Sequence, residues 1–413
     1  MLVAARDTLL RTIARALVDT LELSVVSDAV IEATPEFAES VWKGWDTRAD
    51  NGRKRDELSK LAHLEDNSLE DAVDDVIEDL GLPERDHETE RIAAYLRLTP
   101  AAIRRRFRRP ANPMGTVAPQ GFTLRSSGDL LPLLPARMPK YQVGDRPGEI
   151  GDWELRELLD LQPAGEVWKA VSPWSPDSPP VALHFFISPA AQKFLRDRAA
   201  PVLDQLLVKG RIAGVVPLQQ VHLCGDVACV QYAYVRAADL ASLVQEWRET
   251  NAVVHPREVA DLVGQIAETL GMLHAMRPPI TQHGLRASNI LLMTDAGGRR
   301  RPLLANVGLG VELAAVPRAA ESQVIRNQRS VLIAPPVMPK PTDDIFALGV
   351  LWYRLLMCDL DASRPGGSSW KRSLAARGMP VGLVDLLENA FDDDGAARPT
   401  DGNALAAQIR RHL

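Results

Sequence analysis

The most constraining feature of this sequence is a change of periodicity after residue 235. Before it, short runs rich in β-branched and aromatic residues alternate with Pro, Gly, Ser and Asp, which predicts strands. These runs are WELRELL, GEVWKAV, VALHFFI and CVQYAYV. Beyond Asp239 the apolar residues follow a helical period. They are Val259, Leu262, Val263, Ile266, Leu270 and Leu273, which predicts one long amphipathic helix. A small sheet followed by a helical part predicts an α+β fold.

Two further segments precede this part. Residues 1–108 predict an all-helical N-terminal domain, in which Leu9, Ile13, Leu17 and Leu21 form one apolar stripe. The stripe favours a docking helix, with membrane-surface binding as the alternative. Residues 109–150 contain seven prolines and five glycines. This composition predicts a linker or ordered strap.

Composition narrows the function classes. The chain has 413 residues, which predicts two or three domains. A net charge of −6 gives no general reason to expect nucleic acid or an anionic membrane as partner. The three cysteines form no ligand cluster, which favours a reducing, cytoplasmic setting without a zinc site. No apolar run is long enough to predict a membrane span.

Eight blocks from GEVWKAV onward define a family resemblance through their order and spacing. They are GEVWKAV, VALHFF, YAYVRAADL, QHGLRASNILL, LLANVGLG, IAPP, DDIFALGVLWYRLL and ARPT. In this order they resemble the signature blocks of protein kinases, above all the bacterial eukaryotic-like serine/threonine kinases. The turn at Arg108–Pro110 and the run before WELRELL look like the region that precedes the catalytic domain in one bacterial group. The resemblance implies a two-lobed kinase-like fold over residues 151–413, with an N-lobe over 151–235 and a C-lobe over 236–413.

The N-lobe departs from the kinase pattern at each catalytic position. A kinase positions a phosphoryl group and neutralises its charge with Mg²⁺. The phosphate-covering loop should read GxGxxG, but Asp160 and Gln162 replace two glycines and only Gly165 remains. The strand lysine is replaced by His184, with Lys169 as a weak substitute. The glutamate that pairs with the lysine is replaced by Arg198.

The C-lobe shows the same losses. Aligned without gaps from Asn289, the catalytic aspartate becomes Gly284; a one-residue deletion would place His283 differently but still leave no aspartate. The metal-binding aspartate becomes Asn306, and the glutamate that pairs with Arg398 becomes Pro336. Asn289 and Asn306 are then vestigial, neutral metal ligands. The retained Asp344 resembles the buried aspartate that braces the catalytic loop, and Gly308 and Gly349 mark C-lobe turns.

These substitutions predict an inactive pseudokinase that needs no cofactor. The predicted role is a protein-binding regulatory or scaffold module with an unknown protein partner, for example a subunit of a signalling or defence assembly. The degenerate positions are Asp160, Gln162, His184, Arg198, Gly284, Asn306 and Pro336.

Three alternatives stay open. A non-catalytic nucleotide switch would bind ATP through the hinge residues Ala233, Tyr234 and Val235, behind the gatekeeper Tyr232. An unconventional transferase would reuse the fold. A nucleic-acid-contacting subunit would use a basic patch of five arginines, for which the acidic segment 65–90 offers intramolecular pairing. These arginines are Arg104, Arg105, Arg106, Arg108 and Arg109.

Overall fold

A computed structural model describes most of the chain beyond residue 138 and parts of 101–115. The described residues are 101, 104–105, 107–113, 115, 139–151, 153–162, 165–175, 177–282, 285–295, 297–309 and 340–413. Most of the predicted helical domain 1–108 and most of the strap lie outside them. So do the acidic segment 65–90 and the single positions Arg106, His283, Gly284 and Pro336.

The chain divides into two compact units, Met1–Asp145 with Leu155–Leu161, and Arg146–Glu154 with Gln162–Leu413. In the first unit, Arg104, Arg105 and Phe107 are helical and a turn follows. Strand β1 (Glu154–Leu161) contains the whole second segment of this unit, Leu155–Leu161. The amide of Gly144 donates to Leu155 O at 2.8 Å, and the amide of Leu155 donates to Asp145 O at 3.0 Å.

The second unit begins with antiparallel strands. They are β2 (Gly165–Val171), β3 (Val181–Phe186), β4 (Leu218–His222) and β5 (Ala228–Ala233). These strands pair in the order β2-β3-β5-β4. Consecutive side chains of a strand face opposite sides of the sheet. Leu183 and His184 are both fully buried, so both faces of β3 are covered.

A helical segment connects β3 to β4. Helix α1 (Pro189–Phe194) begins at Ser188, whose side chain accepts a hydrogen bond from the amide of Ala191. A π-helical turn, Leu195–Ala199, follows and leads into α2 (Ala200–Lys209). Leu195, Leu203 and Leu206 of this segment belong to the main hydrophobic core.

The rest of the unit is mainly helical. Its helices are α3 (Leu240–Glu249), α4 (Pro256–His274), α5 (Pro341–Met357), α6 (Ser369–Ala376), α7 (Val381–Ala390) and α8 (Gly402–His412). A small sheet has the order β6-β7-β8, with bounds Ala238–Asp239, Ile290–Thr294 and Arg300–Leu304. A 3₁₀ turn, Ala287–Asn289, precedes β7.

The mixed fold predicted from the sequence is confirmed, with strands first and helices second. The long amphipathic helix is α4, and the six apolar residues that predicted it are all buried. No helix within the described ranges is both long and apolar enough to cross a bilayer.

Candidate functional site

His184 lies at the centre of the candidate site. The register of the sheet places it on β3 opposite Val167 of β2 and Val230 of β5. Its side chain is fully buried, and its ring stacks on Phe186 with 4.4 Å between the ring centroids. The position where the family resemblance implies a lysine is therefore occupied by a packed aromatic ring.

A chain of hydrogen bonds joins three of the replaced or vestigial positions. His184 Nδ1 lies 3.2 Å from Asn306 Oδ1. Because that amide oxygen can only accept, the imidazole donates from Nδ1. Asn306 Nδ2 then donates to Asn289 Oδ1 at 3.1 Å. The residues that the sequence placed at the lysine and metal-ligand positions thus contact one another in a hydrogen-bonded cluster, named here the His184 cluster.

The backbone around Asn306 fixes this geometry. Asn306 has a φ of 55°, in the left-handed region that asparagine tolerates better than most residues. The amide of Leu309 donates to Asn306 O at 3.1 Å, and the amide of Ala305 donates to Asn289 O at 2.8 Å. These bonds hold both asparagine side chains against each other.

The residues present do not fit the magnesium ion that a kinase resemblance implies. Mg²⁺ in nucleotide sites is held through carboxylates together with phosphate oxygens. Here Asn289 and Asn306 offer only neutral amide oxygens, and each of these oxygens already takes part in a hydrogen bond of the His184 cluster. No mechanistic step through Mg²⁺ follows from this arrangement.

The turn between β1 and β2 closes on itself. The amide of Gln162 donates to Gly165 O at 2.9 Å, and the amide of Gly165 donates to Gln162 O at 3.3 Å. A phosphate-binding loop needs backbone N–H groups that point at the ligand. The amides of Gln162 and Gly165 are instead used within the turn.

Gly165 also has a packing role. A Cβ atom at this position would lie 2.3 Å from Phe185 O and 3.2 Å from His184 Nε2. The absence of a side chain therefore allows β2 to approach β3 directly beside the His184 cluster. This contact gives a structural reason for the one glycine that remains in the loop.

Three charged residues that the sequence singled out are not members of the His184 cluster. Arg198 is exposed on the π-helical turn, whereas His184 is fully buried. Lys169 Nζ lies 5.0 Å from the ring centroid of Tyr234, so it caps an aromatic ring of the hinge. Asp160 lies 3.5 Å from Arg105, within the first compact unit.

A buried network braces the loop that precedes Asn289, as the sequence predicted for Asp344. Asp344 Oδ2 accepts hydrogen bonds from the amide of Gln282 at 2.7 Å and from His274 Nε2 at 3.0 Å. Gln282 Nε2 donates in turn to Ala305 O at 2.9 Å. His274 Nδ1 accepts from the amide of Gly402, which assigns the proton to Nε2. Sequence reasoning missed His274, although its place at the end of α4 was a signal.

Arg398 forms hydrogen bonds with backbone carbonyl groups in place of the glutamate that the family pattern implies. It donates to the carbonyl groups of Asp392 at 2.7 Å, Thr342 at 3.1 Å and Asp393 at 3.2 Å. Its guanidinium lies 4.7 Å from the Phe346 ring centroid and 3.7 Å from an Asp343 carboxylate oxygen. The first turn of α5 thus supplies a carboxylate, Asp343, near Arg398, while the predicted loss of its usual glutamate partner concerns Pro336, which lies outside the described residues.

The hinge residues of the nucleotide alternative are partly committed to the protein itself. The amide of Ala233 donates to Pro217 O at 2.9 Å, and the amide of Tyr234 donates to Pro180 O at 3.3 Å. Burial, reinforced by nearby Cys229, raises the pKa of the Tyr232 phenol well above its ordinary value. An acceptor nitrogen of a purine ring would therefore depend on the amide of Val235 for a hinge N–H donor.

The arginines of the predicted basic patch belong to the first compact unit. Arg104 and Arg105 are helical and partly buried, and Arg109 is buried with 6% exposure. Arg108 pairs with Glu157 of β1. The arginines of the patch that the structure describes therefore do not form a uniformly exposed basic surface.

Comparisons with known proteins give a likeness to kinase domains. No protein-family model matches the chain, and no curated protein matches it. It is similar to the crystal structure of the Mycobacterium tuberculosis PknI kinase domain, with 18% identity and a TM-score of 0.46 over 66% of this chain and 100% of that chain. A double mutant of the same kinase domain gives 18% identity and a TM-score of 0.47 over 66% and 98%. At such identity a likeness concerns the fold and not the chemistry.

Proposed function

We propose that this chain is a degenerate kinase-like protein that transfers no phosphoryl group and acts by binding other proteins. The observation that carries the proposal is the His184 cluster. His184, Asn306 and Asn289 occupy the positions at which the family resemblance implies a lysine and two metal ligands, and they satisfy one another instead.

Phosphoryl transfer depends on charge at these positions. The protein contributes little covalent chemistry to that reaction and acts by positioning and by electrostatic stabilisation of the transferred group. An imidazole and two amides stand where the resemblance implies a lysine and a carboxylate, so the cluster offers no carboxylate to Mg²⁺ and no lysine to a triphosphate. The closed Gln162–Gly165 turn uses its own amides as well.

The structural framework, in contrast, is kept. Asp344 braces the loop before Asn289, and Arg398 ties α5 to the segment Asp392–Asp393. A maintained framework around a cleft without the lysine and the carboxylates of a kinase favours a role in which surfaces, rather than chemistry, are used. A regulatory or scaffold module with a protein partner fits this description best.

The proposal predicts that MgATP leaves the thermal midpoint unchanged within about 1 °C. A ligand at about 100 times its Kd stabilises the native state by about 2.7 kcal/mol. For a domain of about 150–250 residues that corresponds to several degrees, on the order of 2–4 °C per kcal/mol. Differential scanning fluorimetry with ATP and EDTA, with MgATP and with Mg²⁺ alone measures this directly.

The three arms separate the alternatives. A shift of about 5 °C or more that requires both ATP and Mg²⁺, and that Asn289→Ala abolishes, would overturn the proposal. A shift of that size with ATP and EDTA would instead favour the nucleotide switch. The matched control is Asn403→Ala, since Asn403 donates to Gly271 O of helix α4 and is not a member of the His184 cluster.

A further inference from the structure

A cavity within the second compact unit, named here the Tyr232 cavity, lies between helix α2 and strands β4, β5 and β8. Its apolar lining residues belong to the main hydrophobic core and include Leu206, Ile212, Val216, Leu304 and Val307. About 340 Å³ of space without protein atoms lies between the lining residues. Because this figure includes open solvent, it is an upper limit on the volume of an occupant. A mainly apolar lining with few polar groups is typical of small-molecule sites.

Tyr232 supplies the polar group that distinguishes this cavity from an ordinary gap in a core. The residue is 8% exposed, and its hydroxyl has no hydrogen-bond partner within the part of the chain that the structure describes. Native proteins pair nearly all of their buried polar groups, because an unpaired hydroxyl keeps its full desolvation cost. The Tyr232 hydroxyl therefore calls for a partner that the lining itself does not provide.

The chemistry of the lining defines what that partner must be. Burial raises the pKa of the Tyr232 phenol well above its ordinary value, so the group stays protonated and can donate a hydrogen bond. Asn306 also lines the cavity, but its amide oxygen faces His184 Nδ1 and its Nδ2 donates to Asn289. No charged side chain of the described residues lines the cavity. A charged occupant would thus be buried without a counterion, which is unfavourable.

We propose that the Tyr232 cavity binds a small, uncharged and mainly apolar molecule, whose carbonyl or ether oxygen accepts a hydrogen bond from the Tyr232 hydroxyl. The apolar lining excludes water from the carbon skeleton of this molecule, and the hydroxyl fixes its orientation. This inference goes beyond the protein-binding role proposed above and does not depend on it, because the cavity uses neither Mg²⁺ nor a phosphate group.

Two probes of nearly the same shape test the proposal. Acetophenone carries the acceptor oxygen, whereas α-methylstyrene has a CH₂ group in its place. Saturation-transfer difference NMR on the full-length protein compares them at one submillimolar concentration, below a Kd that we expect on the order of 1 mM. In Tyr232→Phe the acetophenone signal should fall about threefold to tenfold, because one neutral hydrogen bond is lost. The α-methylstyrene signal should stay within about twofold of its wild-type value.

The matched control is Tyr353→Phe, which removes a phenol hydroxyl from helix α5 at a residue that packs against Trp370 and does not line the cavity. Both probe signals should stay at their wild-type values in this variant. The thermal midpoint of Tyr232→Phe should be no lower than that of the wild-type protein, because the hydroxyl that it removes has no protein partner among the described residues.

Three results would overturn the inference. The first is the absence of an acetophenone signal from the wild-type protein. The second is an acetophenone signal that Tyr232→Phe leaves unchanged or lowers no more than it lowers the α-methylstyrene signal, since the hydroxyl would then not select the ligand. The third is a thermal midpoint of Tyr232→Phe clearly below that of the wild-type protein, since the hydroxyl would then already bond within the protein.

Discussion

An Asp344→Ala variant should lose about 3–5 kcal/mol of unfolding free energy, the range seen when one partner of a buried charged network is removed. The carboxylate is 3% exposed and accepts hydrogen bonds from the Gln282 amide and from His274 Nε2. Its removal leaves two buried donors without an acceptor, and each such donor carries a desolvation cost of about 1–3 kcal/mol. Denaturant unfolding followed by circular dichroism measures the loss.

Two companion variants make this result specific. Asp344→Asn keeps one carbonyl oxygen for one donor, so we expect an intermediate loss. Asp385→Ala on α7 removes an exposed carboxylate and should change stability by less than about 0.5 kcal/mol. A loss in Asp344→Ala no larger than that of Asp385→Ala would contradict the bracing role of Asp344.

His184→Lys should be destabilising by about 3 kcal/mol or more, because it places an unpaired ammonium in a fully buried site. Asn306→Asp should cost about 1–2 kcal/mol, since it removes the donor to Asn289 Oδ1. The double variant creates an ion pair where His184 and Asn306 now share a hydrogen bond. We therefore expect the loss of unfolding free energy in the double variant to be about 1–3 kcal/mol smaller than the sum of the two single losses.

This double-mutant cycle at positions 184 and 306 has a control variant and an outcome that would contradict it. Gln220→Lys adds a lysine at an exposed position of β4, and it should alter stability by less than about 0.5 kcal/mol. Losses that add within about 0.5 kcal/mol in the double variant would show that positions 184 and 306 do not interact. That result would contradict the existence of the His184 cluster in solution.

The order of strands and helices and the position of Asp344 could be predicted from the sequence, because both depend on local patterns. Period-two and helical spacing are properties of short windows, so four of the strands (β1, β2, β3 and β5) and α4 were correctly located, whereas β4 and the small sheet β6-β7-β8 were not predicted. The order of the sequence blocks then placed His184 at the position of the strand lysine, and Asn289 and Asn306 at those of the metal ligands. That these three satisfy one another required coordinates, since they are separated by up to 122 residues in sequence.

The ion-pair partners of Arg108 and Arg398 could not be predicted from the sequence, for a physical reason. The partner of Arg108 is Glu157, and the partner of Arg398 includes Asp343. Opposite charges are frequent in this chain, so charge alone does not choose among them. The position of Arg198 could not be predicted because the local helix is irregular. Counting along the sequence assumes 3.6 residues per turn, whereas the π-helical turn at Leu195–Ala199 changes which side chains share a helix face.

Phosphoryl transfer itself is the most direct test of the central claim that the cleft is inactive. Purified full-length protein is incubated with radiolabelled MgATP or MnATP, with and without a generic protein substrate, beside Asn289→Ala and a sample without protein. We predict the same background incorporation in all three, because the His184 cluster offers no carboxylate to a metal ion and no lysine to a phosphate group. Incorporation above background in the wild-type protein that disappears in Asn289→Ala would contradict the account.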